Sequence, residues 1–286
     1  MKYIYLLSLA ILLYSGCAKK ATVPSYVHVE PFIVTTDGAT QGSSASNITD
    51  VWLYANGQLQ GIYELPCAVP VIENGSVKVA FRPGIKKNGT ANERTYYPFY
   101  TYVDTVLQLE ATKTTTFTPQ ITYIPNLTYT WLENFETSNT TLKKTSFNQT
   151  YDSLQICTDT NITYKGGHSG RIVLTKKNEI FEYASKTPFT LPGNGRDIYM
   201  ELNYKTDLPL IVSFYDNSIN GVNKYASVVT INPSTVWKKI YIYLSEEISS
   251  KLNSQGPTTF SMYFNAMNDA DQTRVIMLDN IKLIYR

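Results

Sequence analysis

Histidine, cysteine and tryptophan are scarce in this 286-residue chain, at two, three and three residues. The two histidines, His28 and His168, lie far apart, and His168 sits in "GGHSG", read here as a tight turn. A Ser-His-Asp or Cys-His catalytic group needs a base held against its nucleophile, and this chain has little to build one from. No P-loop, dinucleotide-binding glycine motif or Cys-x-x-Cys occurs. Three cysteines do not make a disulfide framework, so Cys67 and Cys157 are read as small buried apolar residues. Charge of one sign is also lacking. Against 23 acidic residues stand 25 basic ones, a formal net charge of +2 that gives no electrostatic case for nucleic acid. Helix-forming runs of Ala, Leu and Glu are missing. Beyond the N-terminus no apolar run approaches the ~18 residues that a membrane helix needs. These absences point to a non-catalytic protein.

The one long apolar run is at the start, in "YIYLLSLAILLYSGCAKK" (Tyr3 to Lys20). Lys2 precedes it, small residues Ser15 and Gly16 end it, and Cys17 follows, the layout of a secretory signal. "YSGC" resembles the lipobox of Bacteroidota-type outer-membrane lipoproteins, with Leu13 one position early and Tyr14 in the usual leucine place. The resemblance implies cleavage after residue 16, fatty acylation (palmitate) of Cys17 and a lipidated tether over residues 17–24. It also implies lipid anchoring in the outer membrane at the cell surface. Lys19 and Lys20 stand where the surface-export signal of such proteins is acidic, so the resemblance carries membrane attachment further than surface display.

Residues that favour strands dominate the chain, with 23 tyrosines and frequent Thr and Asn. The spacing predicts an all-β chain. Residues 25–124 read as one β-sandwich domain. "DVWLYANGQLQGIYEL" carries two strands around Asn56-Gly57, a short-range hairpin signal. "SVKVAFRPG" is expected to stop at Pro83-Gly84, and "PGIKKNGTANERTYYPFY" to form a long loop. The hairpin resembles those of small immunoglobulin-like or transthyretin-like domains of bacterial surface proteins. Pro125 marks a boundary, and residues 131–286 read as a second domain.

That second domain opens with "WLENFE", continues with "GGHSGRIVLT" and several alternating strands, and closes with "VIMLDNIKLIY". Phe135-Glu136, Gly167 to Gly170, and Asp279-Asn280 with Leu283 resemble the galactose-binding-like jelly roll of carbohydrate-binding modules. The resemblance implies one structural calcium ion held by Glu136 and Asp279, with backbone carbonyls completing its oxygen shell.

Alternation sorts the faces of these strands. Ile198, Met200 and Leu202, like Ile240, Ile242 and Leu244, point one way, and the tyrosines the other. Tyr199, Tyr215, Tyr241, Tyr243 and Tyr263 are thus placed on outer faces as candidate ligand-binding residues. Trp237 is read as core. Tyrosines amid amides suit sugar recognition and protein docking equally. Two readings stay open: a glycan-binding lipoprotein, and an accessory protein-interaction subunit of an outer-membrane assembly, secretion or uptake complex.

Overall fold

The computed structural model describes residues 23–193, 195–217, 224–251 and 259–286; the leader and Cys17 lie outside the described residues. The architecture is all-β. The N-terminal half carries β1 (Ser25–Val29), β2 (Ile33–Thr35), β3 (Asp50–Ala55), β4 (Gln58–Glu64), β5 (Cys67–Val71), β6 (Gly75–Lys86), β7 (Arg94–Tyr96), β8 (Val103–Leu109), β9 (Thr114–Phe117) and β10 (Gln120–Thr122). One sheet runs β4-β3-β6-β7 with β8 also on β6; β5-β1-β9 and β10-β2 form two smaller ones. The β3–β4 hairpin turns on Asn56 and Gly57, both at positive φ, as the Asn-Gly pair predicts.

β6 does not stop at Pro83-Gly84 as expected. It runs on to Lys86, because Pro83 falls between the residues that pair with β8 and those that pair with β7. Its missing N–H therefore leaves no ladder bond unmade on that side. Gly84 is needed for close approach, since a Cβ there would lie 2.9 Å from the Cβ of Asp50. The expected long loop is correspondingly short. At its aromatic end Tyr97, Phe99 and Tyr100 are buried. Cys67 and Cys157 are free and half-buried rather than core residues.

The C-terminal half is a two-sheet sandwich. It carries β11 (Thr128–Glu133), β12 (Leu142–Lys144), β13 (Gln155–Cys157), β14 (Ser169–Leu174), β15 (Ile180–Ser185), β16 (Phe189–Thr190), β17 (Ile198–Thr206), β18 (Leu210–Asp216), β19 (Lys224–Ile231), β20 (Ser234–Tyr243), β21 (Thr259–Met267) and β22 (Arg274–Tyr285), with one short helix, α1 (Ser245–Lys251). The first sheet runs β13-β14-β22-β17-β20, with β11 on β22; the second runs β12-β15-β21-β18-β19, with β16 on β21. Ile198, Met200 and Leu202 face Phe214, Phe260, Met262 and Phe264 in the shared core, as the alternation predicts.

The tyrosine side of β17 and β20 departs from expectation. Tyr199 and Tyr241 are 3% and 1% exposed, and with Ile284 they belong to the core of the N-terminal half. The parity is right, but the opposite face of this sheet meets the N-terminal half of the chain rather than water. Tyr97 packs its ring 5.0 Å from Tyr199 and 4.7 Å from Tyr241. At the centre lies Glu201, fully buried. It accepts hydrogen bonds from Tyr97 (2.7 Å) and Tyr123 (2.8 Å) and pairs with Lys239. Lys239 Nζ also donates to Ala45 O at 2.6 Å, and Lys282 Nζ donates to Ser43 O.

Burial alone would raise the Glu201 carboxyl, but Lys239, Lys282 and the hydrogen bonds outweigh it and hold the pKa below the ordinary range. Burial, with Lys239 nearby, pushes Lys282 down to about 7, against the opposing pull of Glu201. Removing one partner of such a pair strands the other charge, at a cost of ~3–5 kcal/mol. Glu201→Ala is therefore expected to destabilise the whole chain by that amount in denaturant unfolding. A loss below ~1 kcal/mol would show that the pair does not join the two halves.

Candidate functional site

The residues that carry the jelly-roll resemblance converge in space. Phe135, at φ 57°, turns its ring into the core against Gly170, where a Cβ would lie 2.6 Å from the ring. Gly167 performs the same service for Glu136, whose Oε1 would meet a Cβ there at 2.6 Å. The His168 backbone N–H donates to that oxygen at 3.0 Å, and the His168 ring nitrogen Nδ1 lies 3.3 Å from Oε2. Next along the turn, Ser169 Oγ donates to Asp279 Oδ2 at 2.8 Å. Asp279 Oδ1 accepts from the Asn280 N–H at 2.6 Å, where Asn280 takes φ 49°.

Asp279 is buried, and burial pushes its carboxyl up to about 7. The bonds from Ser169 and Asn280 hold it down in part, while Glu136 and Glu133 push it further up. Glu133 itself is engaged elsewhere, by Phe135 N and the Thr140 and Thr141 hydroxyls. Among the described residues no group of three His, Cys, Asp or Glu side chains stands ready for a metal ion. The oxygen set is two carboxylates, the Ser169 hydroxyl and the Tyr164 carbonyl, which lies beside Gly167. A buried carboxylate that other carboxylates push up fits a hard cation that takes oxygen ligands.

The five tyrosines do not form one surface. Tyr199, Tyr241 and Tyr243 belong to the first sheet and the domain junction: Tyr241 accepts from the Asn47 N–H at 3.0 Å, and Tyr243 lies 5.1 Å under Lys87 Nζ. Tyr199 and Tyr241 are corrected from outer-face residues to buried junction residues, because a strand buried on both faces reads like one with an aromatic outer face; Tyr243 is half-buried at the edge of the junction. Tyr215 and Tyr263 remain together on the second sheet, ring centroids 6.1 Å apart. The register sets them there: Tyr263 lies opposite Ser213, and Tyr215 opposite Ser261. The next row across the sheet is Glu182, Asn265 and Ile211. These side chains line a shallow cavity of about 750 Å³, with Met267 and Phe147 at its margin, 54% and 71% exposed. Sequence reasoning missed Phe147, which lies in a loop without strand periodicity.

Trp237 is likewise not core. It is half-buried, donates from Nε1 to Ile162 O at 2.9 Å, and meets Tyr164 edge-on at 5.6 Å.

No protein-family model matches this chain, and no curated protein matches it. Among solved structures it is similar to several carbohydrate-binding modules. One, described as a carbohydrate-binding module of the β-sandwich superfamily, is 13% identical over 82% of this chain and 85% of its own, with a TM-score of 0.40. Another, the module TmCBM61 in complex with β-1,4-galactotriose, is 11% identical over 54% and 94%, with a TM-score of 0.35. The family 11 module of a Clostridium thermocellum cellulosomal cellulase is 20% identical over 55% and 94%, also at 0.35. Likenesses of this extent carry no argument about function.

The Asp279 environment generates a pH dependence. A carboxyl that holds its proton more tightly folded than unfolded stabilises the fold at low pH, and that contribution is lost as pH rises from the ordinary 3.8 towards about 7. In chelator the melting temperature should fall between pH 5 and pH 7.5. A chain of this size loses ~2–4 °C per kcal/mol. Asp279→Asn should flatten the profile; a wild-type profile no steeper than the variant's would contradict this account.

Proposed function

We propose that the protein is a non-catalytic binding protein that takes carbohydrate on the outer face of its second sheet. One observation carries the reading: Tyr215 and Tyr263 stand side by side there with Glu182 and Asn265 one row away. The first sheet's corresponding face is closed by the N-terminal half. Aromatic rings offer a face to sugar C–H groups, and the carboxylate and amide offer hydrogen bonds to hydroxyls. The exposed apolar margin of Phe147 and Met267 favours a second reading, docking of a membrane-protein partner on the same face.

The same proposal places one structural calcium ion between Glu136 and Asp279, where it would clamp the opening and closing strands. Millimolar calcium would then raise the melting temperature of metal-stripped protein at pH 7.5 and have little effect on Asp279→Asn. It also places the protein on the outer membrane through acylated Cys17, on the support of "LLYSGC".

Two measurements test the reading. In affinity electrophoresis against soluble β-glucan, xylan, galactan and mannan, at least one polysaccharide should retard the wild type. Tyr263→Ala, melting as wild type, should weaken that retardation about tenfold, the effect of ~1.4 kcal/mol. No retardation by any of the four, together with a stoichiometric membrane protein recovered from native membranes and lost with Tyr263→Ala, would turn the assignment to protein docking. For the anchor, intact mass of the membrane-bound form should show a lipid adduct, and Cys17→Ser should remove it along with membrane retention. A membrane form without an adduct would end the lipoprotein reading.

A further inference from the structure

A second cavity lies where the outer face of β17 and β20 emerges from beneath the N-terminal half. It measures about 440 Å³ and has one wall from each half of the chain. The N-terminal wall is the segment 46–49 before β3, with Lys86. The other wall is Trp237 with Tyr164, held edge-on at 5.6 Å, and Trp237 is fixed by its bond to Ile162 O. The walls are tied together at the base: Asn47 Nδ2 donates to Lys239 O at 2.8 Å, and the Asn47 N–H donates to Tyr241 Oη at 3.0 Å.

The floor contains an orphan. Asn203 is 2% exposed, lines the cavity, and its Oδ1 has no hydrogen-bond partner. A buried acceptor left unmade is costly, and native structures keep one where something else supplies the donor. Asn203 lies opposite Lys239 on β20. The lining carries three lysines, Lys86, Lys238 and Lys239, and no carboxylate. Lys239 is committed to Glu201, and Lys86 lies 3.5 Å from Glu64 at the surface. Lys238 is exposed on β20.

A half-buried indole, an acceptor that requires a donor and a positive rim together describe the ligand. We propose that this junctional cavity is a second binding site, for a sugar unit that bears a carboxylate. A ring hydroxyl would satisfy Asn203, the ring would lie against Trp237, and the carboxylate would be drawn to Lys238 and Lys86. The site needs both halves of the chain, and it is separate from the face that carries Tyr215 and Tyr263.

Calorimetry on the full chain with trigalacturonate tests this, with neutral galactotriose and a sulfated trisaccharide as comparisons. Trigalacturonate should bind saturably and quench tryptophan fluorescence. Trp237→Phe should abolish the quench, while Trp52 and Trp131 remain. Lys238→Glu should weaken binding at least tenfold at an unchanged melting temperature, and Asn203→Leu should weaken it without unfolding the chain. Tyr263→Ala should leave it unchanged. The proposal is overturned by absence of heat with trigalacturonate, or by equal binding of galactotriose. It is equally overturned by binding of the sulfated sugar alone, by full affinity in Lys238→Glu, or by loss of binding in Tyr263→Ala. The last result would move the anion to the second sheet.

Discussion

The buried carboxylate of Glu201 is the constraint on which the arrangement of this chain depends. It sits in the middle of a strand with its neighbours sealed on both faces, where an ionised group is tolerated only if it is paired and hydrogen-bonded. The C-terminal half supplies the charge partner, Lys239, from the adjacent strand. It does not supply the remaining donors. Those come from Tyr97 and Tyr123, which belong to the N-terminal half. The lysines in turn find their carbonyls at Ser43 and Ala45, again across the junction. Neither half satisfies the cluster alone, so the two halves are held in one relative placement by a hydrogen-bond account that closes only when both are present.

From that placement follows the division of surfaces. The first sheet presents its outer face to the N-terminal half along Tyr199, Glu201 and Tyr241, and near Trp237, above the buried Asn203, that face opens into the junctional cavity. The second sheet, on the far side of the core, keeps an outer face with Tyr215 and Tyr263. Two candidate binding surfaces follow from this arrangement, the far sheet and the rim of the junction. Their chemistries differ: the first mixes aromatic and apolar groups with one carboxylate, and the second is polar and lined by lysine.

How much of this was legible in the sequence depends on the kind of information each feature needs. The strands, the Asn56-Gly57 hairpin and the inward set Ile198, Met200 and Leu202 follow from local periodicity, and the structure has them. The convergence of Phe135, Glu136, Gly167, Gly170 and Asp279 was implied by the resemblance to the jelly roll, and the structure brings them together. The junction was not legible, because a period of two separates two faces without saying what each face meets. Tyr199 in a solvent-facing row and Tyr199 in a domain interface leave the same pattern. A signal was present nonetheless: Glu201 and Lys239 stand in otherwise apolar and aromatic strands, and charges there are more often paired under cover than aligned on a sugar-binding face. Trp237 misled for the opposite reason, since a tryptophan beside β-branched residues resembles core until the 162–164 turn is seen to fix its edge.

A buried ion pair is weak evidence of stability, since apolar residues of similar volume often serve as well. Its value here is positional. Tyrosine rings packed against tyrosine rings, as Tyr97, Tyr199 and Tyr241 are, would tolerate a sliding contact, because offset and edge-on geometries are close in energy. A carboxylate that must meet two particular hydroxyls and one ammonium permits no such slide. The same lysine that closes the pair forms part of the floor of the junctional cavity, and its own backbone carbonyl receives the Asn47 side chain from the opposite wall. The Asn47 bonds and the Lys239 Nζ bond to Ala45 O therefore hold the two walls of that cavity beside the ion pair. Because Lys239 commits its charge to Glu201 and Lys86 lies 3.5 Å from Glu64, the positive character of the rim falls chiefly to Lys238. An apolar replacement of the pair that preserved stability would release the constraint that fixes the distance between the walls, and the cavity would lose its shape before the protein lost its fold.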